Sequence, residues 1–335
     1  MYEFTEDQLK ALDPVLLACG STDPQVSYNA TLKIAKALEL PLRKGVLSGD
    51  ILGDIFQPIP LRDNSTAEFP LDFLRPGTEG DYVAYTIPNH GYIPQRMIEG
   101  DYVNVPIYDI GNAIDWLLKY AQNARWDVVS AALRVYRQSF VKKMNDDGWH
   151  VILGAAYDRG IVVADSDANS GQFTKRLVSL GKLVMRRNGG GNSTSSNRGR
   201  MTDLAVSPEG MEDIRNWNVD QVDEITRRQI FLSEDDNALN RIFGVNLRDL
   251  DELGEGQEYQ EFFENELGAT LPAGDVEVAI GLDLSNRDAF VMPVRELPSV
   301  YPDEALHRQR RAGVYGWASL GFAVLDGRRV LALSF

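Results

Sequence analysis

Alternating oxygen-bearing side chains in Asp165-Ser-Asp-Ala-Asn169 are the nearest this chain comes to a ready-made chemical site. Calcium loops use such spacing because alternate side chains of a tight turn converge on one hard cation. The match then fails. The sixth position is Ser170, where the sharp turn needs glycine, and the twelfth is Arg176, where a bidentate carboxylate belongs. The expectation is a polar turn leading into a helix that starts near Gln172. An acidic, metal-dependent α+β enzyme built on Asp165, Asp167 and Asn169 stands as the rival; it predicts a bound divalent ion and loss of activity in Asp167→Ala.

Gly189-Gly-Gly-Asn-Ser-Thr-Ser-Ser-Asn-Arg198 offers consecutive backbone N–H groups of the kind that cradle phosphate. It lacks the closing Gly-Lys-[Ser/Thr], and a helical pattern rather than a strand leads into it, so it reads as a surface loop. Asp146 and Asp147 with His150 invite an acid–base reading. Adjacent aspartates at a helix end point in different directions, however, and a solvated terminus is the simpler account. Glu234-Asp-Asp236 and Asp249-Leu-Asp-Glu252 are acidic runs expected in turns and at helix starts. No Gly-x-Ser-x-Gly elbow, His-Glu-x-x-His or dinucleotide fingerprint occurs. No catalytic residue, cofactor or metal ligand is assigned, and an enzyme is not expected.

Arg308, Arg310 and Arg311 form a basic cluster in a chain that is otherwise acidic. On an extended segment Arg308 and Arg310 would share a face. Two readings stand: pairing with acidic neighbours of the same chain, or arginine forks that grip carboxylates of another copy.

The 335 residues carry 49 acidic and 34 basic side chains, a formal charge of -15. Such a surface repels phosphate, so tight direct binding of nucleic acid is not expected. One cysteine, Cys19, forms no intrachain disulfide, and His90, His150 and His307 are too scattered for a zinc site. The start lacks the basic-then-apolar layout of a signal peptide and no apolar run approaches membrane-spanning length. A soluble protein made in the cytoplasm is expected.

The elements that would position these residues read as follows. Helical pieces are expected from Thr5, where Thr5-Glu-Asp-Gln8 has capping-box spacing, and over Ser27 to Leu40. Pro41 to Arg75 is broken by Gly, Pro and Asp and reads as an extended arm. Asp81 to Pro88 and Asp101 to Tyr108 alternate as strands around Asn89-His-Gly91, a ribbon too narrow in its apolar face to stand alone. Ile110, Ile114, Leu117, Leu118, Ala121, Val128, Ala132, Val135 and Val141 recur at three- and four-residue steps. The spacing predicts one long helix from near Gly111 to Gly148, or two broken near Asn123, with Lys142 and Lys143 in the last turn. An α+β region follows: a helix over Gln172 to Arg187, a strand over Thr202 to Val206, and a helix opened by Ser207-Pro208 that reaches Trp217. Strands return at Val276 to Leu282, Ala289 to Val294 and Val330 to Leu333.

This order, closed by Val314-Tyr-Gly-Trp-Ala-Ser-Leu-Gly-Phe-Ala-Val324, resembles the HK97-type major capsid proteins of tailed bacteriophages. Met201-Thr-Asp-Leu-Ala-Val-Ser-Pro208 is similar to the strand-to-helix transition of the family's axial domain. The resemblance implies an α+β, HK97-like capsid fold. Its parts would be an N-terminal arm over 1–66, an extended β-ribbon loop over 67–108, a peripheral domain over 109–148 and 289–325 with a spine helix, and an axial domain over 149–288 and 326–335. It implies a self-assembling shell protein of hexamers and pentamers in an icosahedral virion enclosing double-stranded DNA that is contacted weakly. Scaffolding and portal proteins are the implied partners, with a cement protein possible and no membrane. An arm and ribbon poor in apolar area make sense if each lies across neighbouring subunits. Asn89, His90, Arg96, Arg308, Arg310 and Arg311 are then the candidate intersubunit contacts.

The chain departs from some members of the family. No lysine lies between Lys44 and Lys119, so the loop-lysine crosslink that hardens some shells is not expected. The arm begins close to Met1, which points to a separate scaffolding protein. An encapsulin-like compartment shares the fold and is the neighbouring alternative.

Overall fold

The computed structural model describes residues 14–15, 17–47, 52–62, 65–70, 102–122, 126–188, 199–217, 241–272, 274–285 and 287–335. It divides into two compact units. One is formed by Met1–Glu68, Asn104–Gly148 and Val291–Ala323, the other by Phe69–Val103, Trp149–Phe290 and Val324–Phe335.

In the first unit, helix α1 is Pro24–Leu47. Pro24 occupies the first helical position, where its missing N–H costs nothing, and the Asp23 carboxylate accepts the Gln25 N–H at 3.0 Å. Ser27, Ala30, Thr31, Ile34 and Ala35 are buried, an i, i+3, i+4, i+7, i+8 stripe that gives the helix its inner face. The helix does not stop at Leu40. It runs on through Pro41, at the cost of one backbone hydrogen bond. The expectation of an extended arm from Pro41 is therefore wrong for residues 41–47, and for the short helix α2 (Leu52–Ile55).

Beyond α2 the chain does extend, as strand β1 (Gln57–Pro60), parallel to β10 (Phe290–Pro302). The sheet continues in the order β1-β10-β11-β4, where β11 is Arg311–Leu320 and β4 is Tyr108–Leu117; β12 (Ala323–Val324) pairs with β10 off this path. β11 and β4 are antiparallel and in unbroken register from Arg311↔Leu117 to Leu320↔Tyr108.

Residues 108–117 are thus a strand, not the first turns of the long helix. Ile110 to Ile114 is four residues, which fits two strand repeats as well as one helical turn. Burial decides, because Ile110 and Trp116 are buried while Gly111, Ala113 and Asp115 between them, and Asp109 before them, are exposed. Helices α3 (Leu118–Gln122) and α4 (Trp126–Asp158) follow, and α4 passes through Gly148 without stopping. Lys142 and Lys143 are consequently mid-helix rather than terminal.

Tyr136, Phe140 and Met144, spaced by one helical turn, are large buried side chains that α4 gives this unit. Burying each such side chain is worth roughly 1.5–3 kcal/mol. Asn112 of β4 donates to the Ser139 hydroxyl of α4 at 2.5 Å, and the Tyr108 hydroxyl donates to Asp147 at 2.9 Å. Asp147 also receives Lys143 at 2.8 Å.

The second unit is built on a six-stranded mixed sheet in the order β5-β13-β9-β6-β8-β7. These are Val162–Ala164, Val330–Ser334, Val278–Leu282, Asp203–Val206, Val245–Asp249 and Arg241–Ile242. Leu177, Val178 and Met185 of helix α5 (Lys175–Asn188), with Met211 and Ile214 of helix α6 (Pro208–Asn216), pack against Leu204, Val206, Leu331 and Leu333 of the sheet. Ser207 caps α6 by accepting the Gly210 N–H at 3.1 Å, with Pro208 at the first helical position as its sequence predicts. Trp149, Ile152, Leu153 and Ala156 of α4 form a second buried stripe, on which Tyr259 of the short helix α7 (Glu258–Glu261) rests against Trp149.

Strand β3 (Tyr102–Asn104) pairs with β2 (Glu68–Pro70) in a separate two-stranded sheet. The helix expected from Thr5, the strand over Asp81 to Pro88 with Asn89-His-Gly91, Arg96, the loop 189–198 and Glu234-Asp-Asp236 lie outside the described residues.

Candidate functional site

Among the described residues, the aspartate turn and the Asp146, Asp147 and His150 group, both of which suggested chemistry, resolve into structural contacts. Arg176 reaches back over the aspartate turn, lying 3.3 Å from the Asp165 carboxylate and pairing directly with Asp167. Asp165 is buried and also accepts the Thr174 hydroxyl at 2.6 Å. A guanidinium fills the place a cation would take. Among the described residues no three His, Cys, Asp or Glu side chains gather to hold a metal. His150 stacks on Phe262 with ring centroids 4.1 Å apart, and Asp147 is held by Tyr108 and Lys143, so Asp146, Asp147 and His150 do not form an acid–base set. Burial pushes the Cys19 thiol up to about 11, which removes it as a nucleophile. Burial, then the Asp147 contact, raises Tyr108 well above the ordinary tyrosine range.

The basic cluster is the sequence-derived candidate that faces outward within the described residues. Its geometry differs from the extended segment expected. Arg308 lies in a 3₁₀ turn (Ala305–Gln309), Arg310 takes the left-handed conformation at φ 54°, and only Arg311 belongs to a strand. Arg308 and Arg310 therefore do not share a strand face. The cause is local: the turn reverses the chain between β10 and β11, and its last residue must adopt positive φ to enter the strand. Arg311 pairs with Asp115 of β4 at 2.9 Å, with both side chains near half exposed. A pair so open to solvent is worth under about 1 kcal/mol.

Beside this turn is a cleft of about 370 Å³ between the start of α1 and the turn, lined by Tyr28, Thr31, Glu304, His307 and Arg311 among others. The outward face of the same sheet carries three aromatics, Tyr315 and Trp317 of the closing motif and Tyr301, which sequence reading had not marked as a contact surface. Tyr301 stacks on Trp317 at 4.8 Å, and Tyr315 lies 5.8 Å from each. Tyr301 and Trp317 are each 37% exposed, large apolar area left facing solvent. The signal for it was the aromatic pair two residues apart, Tyr315 and Trp317, which puts both rings on one strand face.

These surfaces offer an open ion pair, exposed rings and a cleft, features suited to contact with another surface. No protein-family model matches the chain, and no curated protein matches it. Solved structures do. A structure from Microbacterium phage Oxtober96 aligns over 84% of this chain and 90% of its own, with 10% identity and a TM-score of 0.54. The capsid structure of cyanophage P-SCSP1u aligns over 85% and 87%, with 11% identity and a TM-score of 0.53. A structure from Mycobacterium phage Bobi aligns over 84% and 89%, with 12% identity and a TM-score of 0.53. At such identity the shared property is the path of the backbone, and it spans nearly the whole of each chain. The chain has the α+β, HK97-like fold found in phage capsids.

Proposed function

We propose that this chain is a structural, non-enzymatic protein of a phage capsid, assembling as hexamers and pentamers into an icosahedral head that encloses double-stranded DNA. The observation that carries the reading is the two-way coverage of the capsid structure of cyanophage P-SCSP1u, 85% of this chain and 87% of that one. A likeness of that extent leaves little chain over for a separate activity. In this reading the unit built on β1-β10-β11-β4 is the peripheral domain with its arm, and the unit built on the six-stranded sheet is the axial domain. Residues 67–108 are the extended loop. Asn89, His90 and Arg96 of that loop, with Arg308, Arg310 and Arg311, contact neighbouring subunits. Scaffolding and portal proteins are its partners, and the virion is its location. With no lysine between Lys44 and Lys119, the shell is held by noncovalent contacts or a cement protein.

Negative-stain electron microscopy of the chain expressed alone, and together with the proteins encoded beside it, tests this. Shells, or five- and six-membered rings, are expected in at least one sample. Monodisperse small particles in both would reject the assembly reading.

A further inference from the structure

Charge is segregated in the second unit. Every charged side chain of α5 is a cation, namely Lys175, Arg176, Lys182, Arg186 and Arg187. Every charged side chain from Asp249 to Glu266 is a carboxylate. The two segments cover different parts of the unit. α5 packs against β5 and β13, whereas Tyr259 anchors the acidic stretch on Trp149 and His150 of α4. Buried Leu253, Tyr259 and Phe263 hold that stretch in place while Asp251, Glu255, Glu258 and Glu261 remain exposed.

The basic face is not purely electrostatic. Leu183, between the cations of α5, is 48% exposed. Phe243, 37% exposed, stands at the tip of the two-residue turn between β7 and β8, against Lys182, the chain neighbour of Leu183. Both turn residues have positive φ, Phe243 at 52° and Gly244 at 79°. Such a turn favours Asn-Gly, and a bulky aromatic in its first position is uncommon and costs conformational energy. The turn thus presents a ring to solvent at a local cost. Lys175 lies over that ring at 5.3 Å, and Lys182 donates to the Phe243 carbonyl, so the apolar tip and the basic helix form one surface.

We propose that this face of α5, with Leu183 and Phe243 at its centre, docks on the acidic stretch 249–266 of a second copy of the chain. The inference rests on the capsid reading and deepens it by naming the two sides of one contact. A cationic face could meet DNA phosphates instead. Duplex phosphates, however, have no use for an exposed leucine and phenylalanine, whereas a protein interface is built from apolar anchors rimmed by charge. The occupant is a second copy because the complementary surface belongs to this chain itself. At one end of that stretch Asp249 is raised from its ordinary value by burial and then by Asp251, against the opposing effect of Arg215. Two different patches on one molecule make a head-to-tail contact, and such contacts close into rings when the rotation allows.

The test compares full-length wild type with Arg186→Glu/Arg187→Glu, with Glu255→Lys/Glu258→Lys, with an equimolar mixture of the two forms, and with a chain carrying all four changes. Association is followed by sedimentation velocity and negative-stain microscopy at low salt, and folding by thermal unfolding. Each doubly substituted form alone should lose on the order of a hundredfold in association, because like charges then face each other. The mixture and the fourfold variant should recover rings or shells. Assembly of the Arg186→Glu/Arg187→Glu form at the wild-type level overturns the contact, and does so equally if that form loses only retained DNA, which would assign the face to phosphate. Failure of both the mixture and the fourfold variant to recover, with every form folded, also overturns it. Absence of assembly by wild type in all conditions is a separate result: it rejects the capsid reading, and the contact with it.

Discussion

A Cβ placed on Gly316 would stand 2.3 Å from the Ser299 carbonyl oxygen and 2.4 Å from the Tyr136 hydroxyl. Neither neighbour can retreat easily, since one is the backbone of β10 and the other a buried side chain of α4. Gly316→Ala should therefore cost about 2 kcal/mol of unfolding free energy, the scale of overpacking in a tight core. Gly111→Ala is the control in the paired strand, because its Cβ would meet nothing closer than 3.5 Å. It should stay within about 0.5 kcal/mol in urea unfolding. Glu277 makes a second residue-scale case. Burial raises its carboxyl above the usual glutamate value of 4.5, and Glu209, Asp213 and Glu255 add to this, against the Ser207 hydroxyl that donates to it at 2.5 Å. A raised acid binds more protons folded than unfolded. Its stabilising contribution is full below the unfolded value and is lost as pH rises through the folded one. Glu277→Gln should thus gain in melting temperature relative to wild type as pH rises from 4 towards 8; a difference that did not change with pH would show that burial does not shift this group. Both residues were in plain view in the sequence, yet the atoms that approach them were not, because Ser299, Tyr136 and Ser207 are distant in the chain.

At the scale of elements, legibility followed whether two periodicities could be told apart. The α6 start was readable because Ser207-Pro208 has one physical meaning, a cap followed by a residue that needs no N–H. The β4 strand was not, because the step from Ile110 to Ile114 suits both helix and strand and only the ten-residue register with β11 distinguishes them. Gly148 and Pro41 were read as stops by propensity, and a helix runs through each. Trp149, Ile152 and Leu153 are buried just beyond Gly148 and draw the helix onward, a tertiary gain larger than the roughly 1 kcal/mol that a helical glycine costs. The turn at Ala305–Gln309 is marked only at its entry, by Pro302-Asp303, whose carboxylate accepts the Ala305 N–H at 2.9 Å, while Leu306-His-Arg-Gln-Arg310 itself carries no Gly or Pro. Its placement yields a clean test of the basic cluster. The Arg311–Asp115 pair is too exposed to hold the fold, so Arg311→Ala should change unfolding free energy by under about 1 kcal/mol. If Arg311 grips a neighbouring subunit, the same variant should still lower the yield of assembled particles in sedimentation; an unchanged yield would confine it to the intrachain pair.

For the whole molecule, the order of elements carried the fold although hardly any residue is shared with its structural neighbours, at 10 to 12% identity. Element order survives such divergence because packing constrains the volume and polarity of side chains more than their identity. What the order could not convey is where surfaces meet, since a contact between copies leaves no periodic trace in either segment. Charge does leave one, and the balance of 34 basic against 49 acidic residues makes a prediction about the content of the shell. A surface with that excess gains little from counterion release, so purified chain should bind a short duplex more weakly than about 10⁻⁴ M at physiological salt. The α5 face sets an upper limit on the salt dependence. If Lys175, Lys182, Arg186 and Arg187 all met phosphates, log K against log salt would fall with a slope of about -3.6. Fluorescence anisotropy from 50 to 200 mM salt should give a shallower slope, because those cations are held for protein contact. Micromolar binding with a slope near that limit would mean that the α5 cations meet phosphate; weak, nearly salt-independent binding would mean that they do not, in keeping with the proposed capsid reading in which DNA is contacted weakly.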